Sequence, residues 1–411
     1  VAADVRFNLN GSWSMLGGTN LVSSVSTGAA SDRVGPVTIG SGVGGIVVTV
    51  GSNAVFSTGA LTPLQIGSGA GGGNRLILTN GGRVWCGTTP GGSGNTCGIG
   101  VTSSSNTVVV TGYNSAWWLT NTTGQAPGLT IGGIGSVANA LIIANGGMVT
   151  NSGGSVSGTK TTVLVTDTGS VWNVGFGFAP GGTLCTEIVS NGARFVTASL
   201  LSSDGGSVSN TIIVTGVGSI WSNSSGAITM GKRGNYAGLL VTNGGVVINN
   251  GYFEVDGSQG TGLNGNSDWT VVTGPGSVLS NSSTLGVGNT YSVSNNSLLI
   301  DNGGVVYSTA GTIAAGTNCV NNSVTVRGAN SLWTLGNSDL TVGFAASTGN
   351  YLTVSQGGVV TNISTLTVNA YNSLNTAGGG TVFVNVLSLQ PNAQMGVDVV
   401  SPGKVVVQSG G

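Results

Sequence analysis

The stretch TIIVTGVGSIWSNSSGAITMG occupies Thr211 to Gly231, and LLVTNGGVVINNGYFEVDG follows from Leu239 to Gly257. The two stretches share few identical residues but have the same order of features. Each begins with apolar or β-branched residues ending in Thr, then passes through a Gly-rich corner to a second apolar strand. A third short strand ending in Gly completes the pattern. Two copies so close together indicate an internal repeat.

The polar residue before each Gly-rich corner marks this repeat along most of the chain. Clear copies occur at Asn80, Thr111, Asn145, Thr166, Asn191, Thr215, Asn243, Thr273, Asn302, Arg327 and Gln356, and weaker ones at Asn10 and Val50. Ten intervals separate the first clear copy from the last, so the mean step is about 28 residues. Asn-Gly corners alternate with Thr-Gly corners that lead into Gly-Ser-x-Trp. The full sequence repeat is therefore about 55 residues.

A repeat of this length with three short strands is typical of an all-β, parallel β-solenoid (β-helix), here of about 14 coils. Strand alternation supports this fold, because Ile212 and Val214 lie on one face and Ile213 and Thr215 on the other. A β-sandwich or a seven-bladed propeller is the alternative. The self-similarity of the half-repeat favours the solenoid. We expect a first strand and coil in 1–30, repeats in 31–390, and a C-terminal strand that stops within a coil in 391–411.

Composition sets further bounds on the class of protein. The 411 residues include 77 Gly, 10 Lys plus Arg, 11 Asp plus Glu and no His, and 39% are hydrophobic. This hydrophobic content allows a buried core, and no apolar run approaches the length of a membrane helix. A net charge of −1 without a basic stripe argues against nucleic-acid binding.

The segment VTGVGSIWSNSSGAITMGKRGNYAGLLVTNGGVV, from Val214 to Val247, resembles the repeat associated with bacterial autotransporter and PEP-CTERM proteins. Four further copies carry the same motifs: VTGYNSAWW with LIIANGGMV, VTDTGSVW with IVSNGARFV, VTGPGSVL with LLIDNGGVV, and VRGANSLW with LTVSQGGVV. The resemblance covers residues 105 to 365. It implies export, a β-helical fold and a cell-surface or extracellular location, and it transfers no catalytic residues.

The first residues, VAADV, lack the basic and apolar regions of a signal peptide. We interpret them as a mature N-terminus left after signal-peptide removal, with truncation as the alternative.

Catalytic chemistry has little support in the sequence. Glu187 and Glu254 are the only glutamates, the aspartates do not recur in register, and no metal-ligand cluster or phosphate-binding motif is present. We therefore expect no enzyme activity, no cofactor and no metal site. A polysaccharide-acting enzyme is the remote alternative, because some solenoids have such activity.

The tryptophans have two interpretations. An aromatic ladder that stacks on sugars is one, and packing at the edge of the core over Gly-rich turns is the favoured one. The residues concerned are Trp117, Trp118, Trp172, Trp221 and Trp333. A binding face is one interpretation of the basic residues, and scattered solubilising charge is the favoured one. The residues concerned are Arg83, Arg194, Lys232 and Arg233.

Four cysteines are informative in an exported protein. Cys86 and Cys97 flank a Pro-Gly-Gly insertion, so we predict a disulfide between them. Cys185 and Cys319 are about five coils apart, roughly 24 Å, which is too far for a disulfide. Each is predicted to be a free buried thiol or half of an intermolecular bridge.

The two ends suggest assembly. The final residues, GKVVVQSGG, repeat the opening of a coil, and VAADVRFNLNGSW supplies a strand before its first corner. We predict head-to-tail pairing of copies into an extracellular filament, with Asp4 and Arg6 setting the register. The residues assigned to this contact are Ala2, Asp4, Arg6, Leu9, Lys404, Val405, Val406, Val407 and Ser409. A monomeric cell-surface adhesin or stalk is the alternative, and a matrix polysaccharide is a second candidate partner.

Overall fold

The computed structural model describes residues 7–9, 13–15, 19–21, 37–51, 53–59, 63–87, 96–119, 128–201, 207–232, 234–256, 265–397 and 403–408. Within these ranges every regular element is a β-strand, as the repeat predicts. None of the described segments forms a helix suited to crossing a membrane. The chain forms two compact units, 1–198 and 199–411. This division within the repeats was not expected from the sequence.

The first unit is built from nineteen described strands, and a twentieth runs across its boundary. They are β1 (Phe7–Leu9), β2 (Trp13–Met15), β3 (Thr19–Leu21), β4 (Val37–Ser41), β5 (Val47–Val50), β6 (Val55–Gly59), β7 (Leu64–Ser68), β8 (Arg75–Leu78), β9 (Arg83–Cys86), β10 (Cys97–Ile99), β11 (Thr107–Thr111), β12 (Ala116–Leu119), β13 (Gly128–Ile131), β14 (Ala140–Ala144), β15 (Met148–Asn151), β16 (Gly153–Val156), β17 (Thr162–Thr166), β18 (Val171–Pro180), β19 (Thr186–Ser190) and the boundary strand β20 (Arg194–Leu201).

The second unit continues the same succession of short strands. They are β21 (Thr211–Thr215), β22 (Ile220–Asn223), β23 (Ile228–Met230), β24 (Gly238–Thr242), β25 (Val246–Asn249), β26 (Phe253–Val255), β27 (Trp269–Thr273), β28 (Val278–Asn281), β29 (Leu285–Val287), β30 (Ser297–Asp301), β31 (Val305–Ser308), β32 (Gly311–Ile313), β33 (Ser323–Arg327), β34 (Leu332–Val342), β35 (Tyr351–Ser355), β36 (Val359–Val368), β37 (Ser373–Thr376), β38 (Thr381–Leu389), β39 (Gln394–Val397) and β40 (Lys404–Val407).

Each coil stacks on the next through parallel, in-register pairing. In the first unit, β5 pairs with β8, β8 with β11, and β11 with β14. In the second unit, β21, β24, β27 and β30 are stacked in the same way. The remaining strands of each coil form the facing layer, also in parallel. Both units are therefore parallel β-solenoids, as predicted.

The layer that contains β5 and β21 holds one strand from each coil. Its described strands number seven in the first unit and eight in the second, close to the expected total of about 14 coils. The step between equivalent residues is 33 from Asn106 to Asn139, 28 from Asn322 to Asn350, and 22 from Asn350 to Asn372. The mean of about 28 residues thus conceals unequal coils, because insertions at corners change coil length without disturbing the strand register.

The core follows from strand alternation. Ile212 and Val214 are fully buried, while Ile213 and Thr215 on the opposite face are half-buried. Each inward position is in register with an inward position in the neighbouring coils. Apolar side chains therefore stack on one another in columns. Shared burial between coils is what stabilises a fold in which no single coil has a core of its own.

The Asn-Gly-Gly corners show why coils with two types of corner sequence alternate. Asn243 and Gly244 both have left-handed backbone, with φ of 52° and 81°. A Cβ on Gly245 would lie 2.3 Å from the carbonyl oxygen of Val214 in the preceding coil, so only glycine fits there. The amide of Gly244 donates to the hydroxyl of Ser277 in the next coil at 3.1 Å.

The same Gly-to-Ser hydrogen bond recurs at the other corners of this kind. The pairs are Gly81 with Ser115, Gly146 with Ser170, and Gly303 with Ser331. These serines occupy the Ser position of the Gly-Ser-x-Trp motif, and all are fully buried. The motif is exact at Ser170, has Asn before Ser115 and Ser331, and has Leu279 in place of Trp after Ser277. An Asn-Gly-Gly coil therefore requires a Gly-Ser-x-Trp coil after it, which produces the repeat of about 55 residues.

A second corner carries a ladder of buried asparagines. The side-chain oxygen of each accepts the backbone amide of the equivalent residue one coil earlier, as Asn350 does for Asn322 and Asn372 does for Asn350. Their side-chain amides also donate along the stack, from Asn322 to Asn350 at 3.0 Å. Other members are Asn74, Asn106 and Asn139 in the first unit and Asn296 in the second. The ladder satisfies buried backbone groups that the corner leaves without strand partners.

Candidate functional site

The last described coil leaves core positions uncovered. Val407 is 55% exposed, although its register partner Val384 in the preceding coil is 1% exposed. Met395 is 41% exposed and its partner Leu374 is fully buried. These side chains stand in inward columns but lack a described coil on top of them. Full burial of each such side chain would contribute roughly 1.5–3 kcal/mol.

The backbone of β40 also has a free edge. The amide of Lys404 donates to the Gly380 carbonyl and that of Gln408 to the Val384 carbonyl, each at 2.8 Å. Since backbone groups alternate sides along a strand, residues 405 and 407 point their amides and carbonyls away from β38. Among described strands β40 pairs with β38 alone. This edge presents the hydrogen-bonding pattern that β38 presents to β40.

At the other end, β1 pairs with β4 in parallel, and Leu9 is in register with Ile39. Ile39 is fully buried, so Leu9 occupies a position in a core column. The other N-terminal residues assigned to assembly, Ala2, Asp4 and Arg6, lie outside the described residues, as does Ser409. Pairing between the two ends stays a prediction.

Cys86 and Cys97 lie at facing ends of β9 and β10 in one coil, and both are buried free thiols. Trp117 donates its indole N–H to the Cys86 sulfur at 3.2 Å, and the Leu64 amide donates to the Cys97 sulfur at 3.4 Å. Burial, together with a hydrogen bond to Cys86, raises the pKa of the Cys97 thiol well above its usual range. The structure thus holds the two sulfurs close together, and their oxidation to a disulfide stays a prediction. Mass spectrometry of unreduced peptides tests it.

Cys185 and Cys319 are also buried thiols. The Cys319 thiol donates to the Thr290 carbonyl at 2.8 Å. Burial raises the pKa of Cys185 to about 11 and also raises that of Cys319. An intermolecular bridge through either sulfur would require local opening of its coil, and both alternatives stay predictions.

Four of the five tryptophans considered as a sugar-binding ladder are core residues. Trp117, Trp172, Trp221 and Trp333 are fully buried. Trp172 donates to the Asn151 side chain at 2.8 Å, and Trp333 to the Ser308 hydroxyl at 3.0 Å. The ladder interpretation is therefore wrong for these four, because their rings face inward and have polar partners there. Trp118 lies on the outward face instead.

Three acidic residues that follow no regular spacing in the sequence have their carboxyl groups in the core. Glu187 stands in register with buried Val163, and neither of its carboxyl oxygens has a hydrogen-bond partner. Burial raises its pKa to about 8. Asp268 occupies a rung of the asparagine ladder, and burial raises its pKa to about 8 as well. Asp256 accepts two hydrogen bonds from Thr290, each at 2.9 Å, and burial raises its pKa to about 6.

These carboxyl groups do not form an active-site constellation. They face the core and not a solvent cleft. In the part of the chain that the structure describes, no three His, Cys, Asp or Glu residues are placed to hold a metal ion. The site that the geometry defines most clearly is the exposed last coil among the described residues, which includes Met395 and Val407.

The fold and the exposed last described coil define the class of this protein. It is a parallel β-solenoid in which β40 has a strand edge without a described partner. No protein-family model matches the chain, and no curated protein is significantly similar to it. Among solved structures it is similar to a fragment of TibA, residues 55–350, hyper-glycosylated through TibC catalysis. The TM-score is 0.47 and the identity 13%, over 89% of this chain and 97% of that chain. A likeness at this level says nothing about function, and the particular repeat family stays an expectation.

Proposed function

We propose that this protein is a non-enzymatic, exported structural subunit that assembles head to tail into an extracellular filament. The observation that carries the proposal is the uncovered last coil, where Met395 and Val407 stand exposed in columns that are buried one coil earlier. A second copy is the occupant that we infer, because its first coil has the same strand layout and can continue each column.

Parallel stacking gives the contact its polarity. The free side of a coil at one end offers the same amide and carbonyl pattern that each coil inside the stack offers to the next. A copy added in the same direction therefore repeats an interaction that the fold already uses many times. Such a heterologous contact does not saturate after one addition, so it produces a filament unless its rotation closes a ring.

The charge distribution supports the same proposal. Of the eight residues from Lys404 to Gly411, only Lys404 is charged. Soluble edge strands are normally protected by inward charges, prolines or bulges. The strand β40 has one lysine at its start and three valines after it, which is weak protection against pairing.

An extracellular location is part of this proposal and rests on the repeat motifs and on the low charge of the chain. A cell-surface stalk that remains monomeric is the second candidate. The observation in its favour is the number of aromatic side chains that project from corners of the coils. Examples are Tyr113, Tyr291 and Tyr371, which are more than half exposed. These side chains would suit a display function.

Particle size separates the two candidates. We expect purified native protein to form unbranched filaments in negative-stain electron micrographs and to sediment as polymers whose length grows with protein concentration. A single monomeric species at all concentrations tested would contradict the filament and favour the stalk. Measurement of polysaccharide cleavage by the same preparation tests the remote enzymatic alternative.

A further inference from the structure

Two tryptophans and an arginine form an exposed cluster on the outward face of the first unit. Trp85 in β9 is in register with Trp118 in β12, and their ring centroids are 4.9 Å apart in an edge-to-face arrangement. Trp85 is 44% exposed. The guanidinium carbon of Arg83 lies 5.8 Å from the Trp118 ring centroid. An outward tryptophan pair of this kind is not required by the core.

The strand register explains how Arg83 reaches this position. Arg83 is paired with Ala116, and the small side chain of Ala116 leaves room for the arginine to lie diagonally across the pair toward Trp118. The Nε atom of Arg83 is buried at this point and has no hydrogen-bond partner. A guanidinium held beside an indole ring places a positive charge where an oxygen anion can pair with it.

The strands around the cluster carry no negative charge. None of the neighbouring strands β6, β9, β12, β15 and β18 contains an acidic residue. The column that holds the two indoles continues with Ser57 on one side and Thr150 on the other. Apolar ring faces are thus flanked by hydroxyl groups, with a cation beside them.

From this arrangement we propose that Arg83, Trp85 and Trp118 form a binding site for an acidic saccharide. A pyranose ring presents an apolar C–H face that packs on an indole, while its hydroxyl groups reach neighbouring polar side chains. A carboxylate on that ring pairs with the guanidinium of Arg83. A uronic acid unit combines these features, so the site selects uronate chains over neutral ones. This site does not depend on self-assembly through the coil ends.

Calorimetric titration with trigalacturonate, and with neutral maltotriose for comparison, tests the proposal on the full chain. We expect binding of trigalacturonate and at least tenfold weaker binding of maltotriose, since the charge-assisted contact is lost. Arg83→Gln should weaken trigalacturonate binding by about tenfold or more, and Trp85→Ala or Trp118→Ala should do the same through loss of stacking.

Two variants serve as matched controls. Arg194→Gln removes an exposed cation from the same unit, and Tyr113→Ala removes an aromatic ring that is 81% exposed. Both should bind trigalacturonate as the wild type does, and circular dichroism should show all variants folded. Absence of trigalacturonate binding, equal binding of maltotriose, or an equal loss in the control variants would overturn the proposal. Retention of binding when filament formation is blocked distinguishes this site from the proposed assembly.

Discussion

At the scale of single residues, the most informative position is Asp268. Its equivalent in the next coil is Asn296 and its equivalent in the preceding coil is Ala237, whose amide donates to the Asp268 Oδ1 at 2.7 Å. Its own amide donates to the Asn296 side chain at 2.9 Å. Its Oδ2 atom is buried without a partner, whereas the amide of Asn296 donates to the Gly265 carbonyl from the equivalent place. A carboxylate cannot make that donation unless it is protonated.

Asp268→Asn is therefore expected to stabilise the protein. The new amide continues the ladder, supplies the missing donor and removes a buried charge. The gain at about pH 8 should be about 1–3 kcal/mol in the free energy of unfolding, the range for satisfying one buried polar group. Chemical denaturation monitored by circular dichroism measures it. Asn296→Asp is the reciprocal control and should destabilise, and an unchanged or lower stability of Asp268→Asn would contradict the explanation.

Buried acids also set the pH dependence of the whole chain. Burial raises the pKa values of Glu187, Glu254, Asp256 and Asp268 to about 8, 7, 6 and 8. Unfolded carboxyls titrate near pH 4, so between about pH 4 and pH 8 the folded chain binds more protons than the unfolded one. The free energy of unfolding therefore falls as the pH rises through this window. We expect a higher thermal midpoint at about pH 5 than at about pH 8.5, and a midpoint that increases with pH would refute the assignment.

At the scale of the structural element, the corner between two strands decides which coils can be neighbours. Asn243, Gly244 and Gly245 turn the chain, and the turn leaves the amide of Gly244 without a strand partner. The buried hydroxyl of Ser277 satisfies it from the next coil. The alternation of corner types is thus a hydrogen-bonding requirement between coils.

Replacement of Ser277 by alanine tests this requirement. The amide of Gly244 would remain buried and unpaired, which costs about 1–3 kcal/mol in the free energy of unfolding. Ser280→Ala is the matched control, since Ser280 follows on the outward face of the next strand and is half-buried. It should change the stability by less than about 0.5 kcal/mol. Equal effects of the two substitutions on thermal unfolding would refute the role given to Ser277.

At the scale of the whole molecule, the question is what covers the open coil. The free edge of β40 consists of the backbone groups of Val405 and Val407. The amides of Lys404 and Gln408 already donate to carbonyl groups of the preceding coil. By the same alternation, the backbone amide of Val406 points toward β38. Proline at Val406 would therefore disturb the strand within its own coil and is not a clean probe of assembly.

Val407→Pro removes an amide from the free edge and leaves the pairing of β40 with β38 intact. We expect this variant to remain folded but to form no filaments in electron micrographs. Val406→Thr, which keeps every backbone group, should form filaments as the wild type does. Deletion of residues 1–9 is the reciprocal variant and should also abolish them. Normal filaments from Val407→Pro would exclude pairing through this edge.

The sequence by itself determined the repeat, the strand alternation and therefore the solenoid. Corner residues and apolar strands recur in a fixed order, and a stack of coils is the arrangement that buries every copy. The inward positions of Ile212 and Val214 were readable for the same reason, because alternation in a strand is a local property.

Only the tertiary structure decided which of several chemically similar residues are buried and which contacts each of them makes. Trp117 and Trp118 are adjacent in the chain, yet Trp117 is in the core and Trp118 is half-buried on the outward face, because the register of β12 sets which face each occupies. The asparagine ladder was not apparent from spacing, since its steps range from 22 to 33 residues. The meeting of Arg83 with Trp118, and the place of Asp268 beside Asn296, depend on contacts between coils. Such contacts join residues far apart in sequence, so no local pattern encodes them.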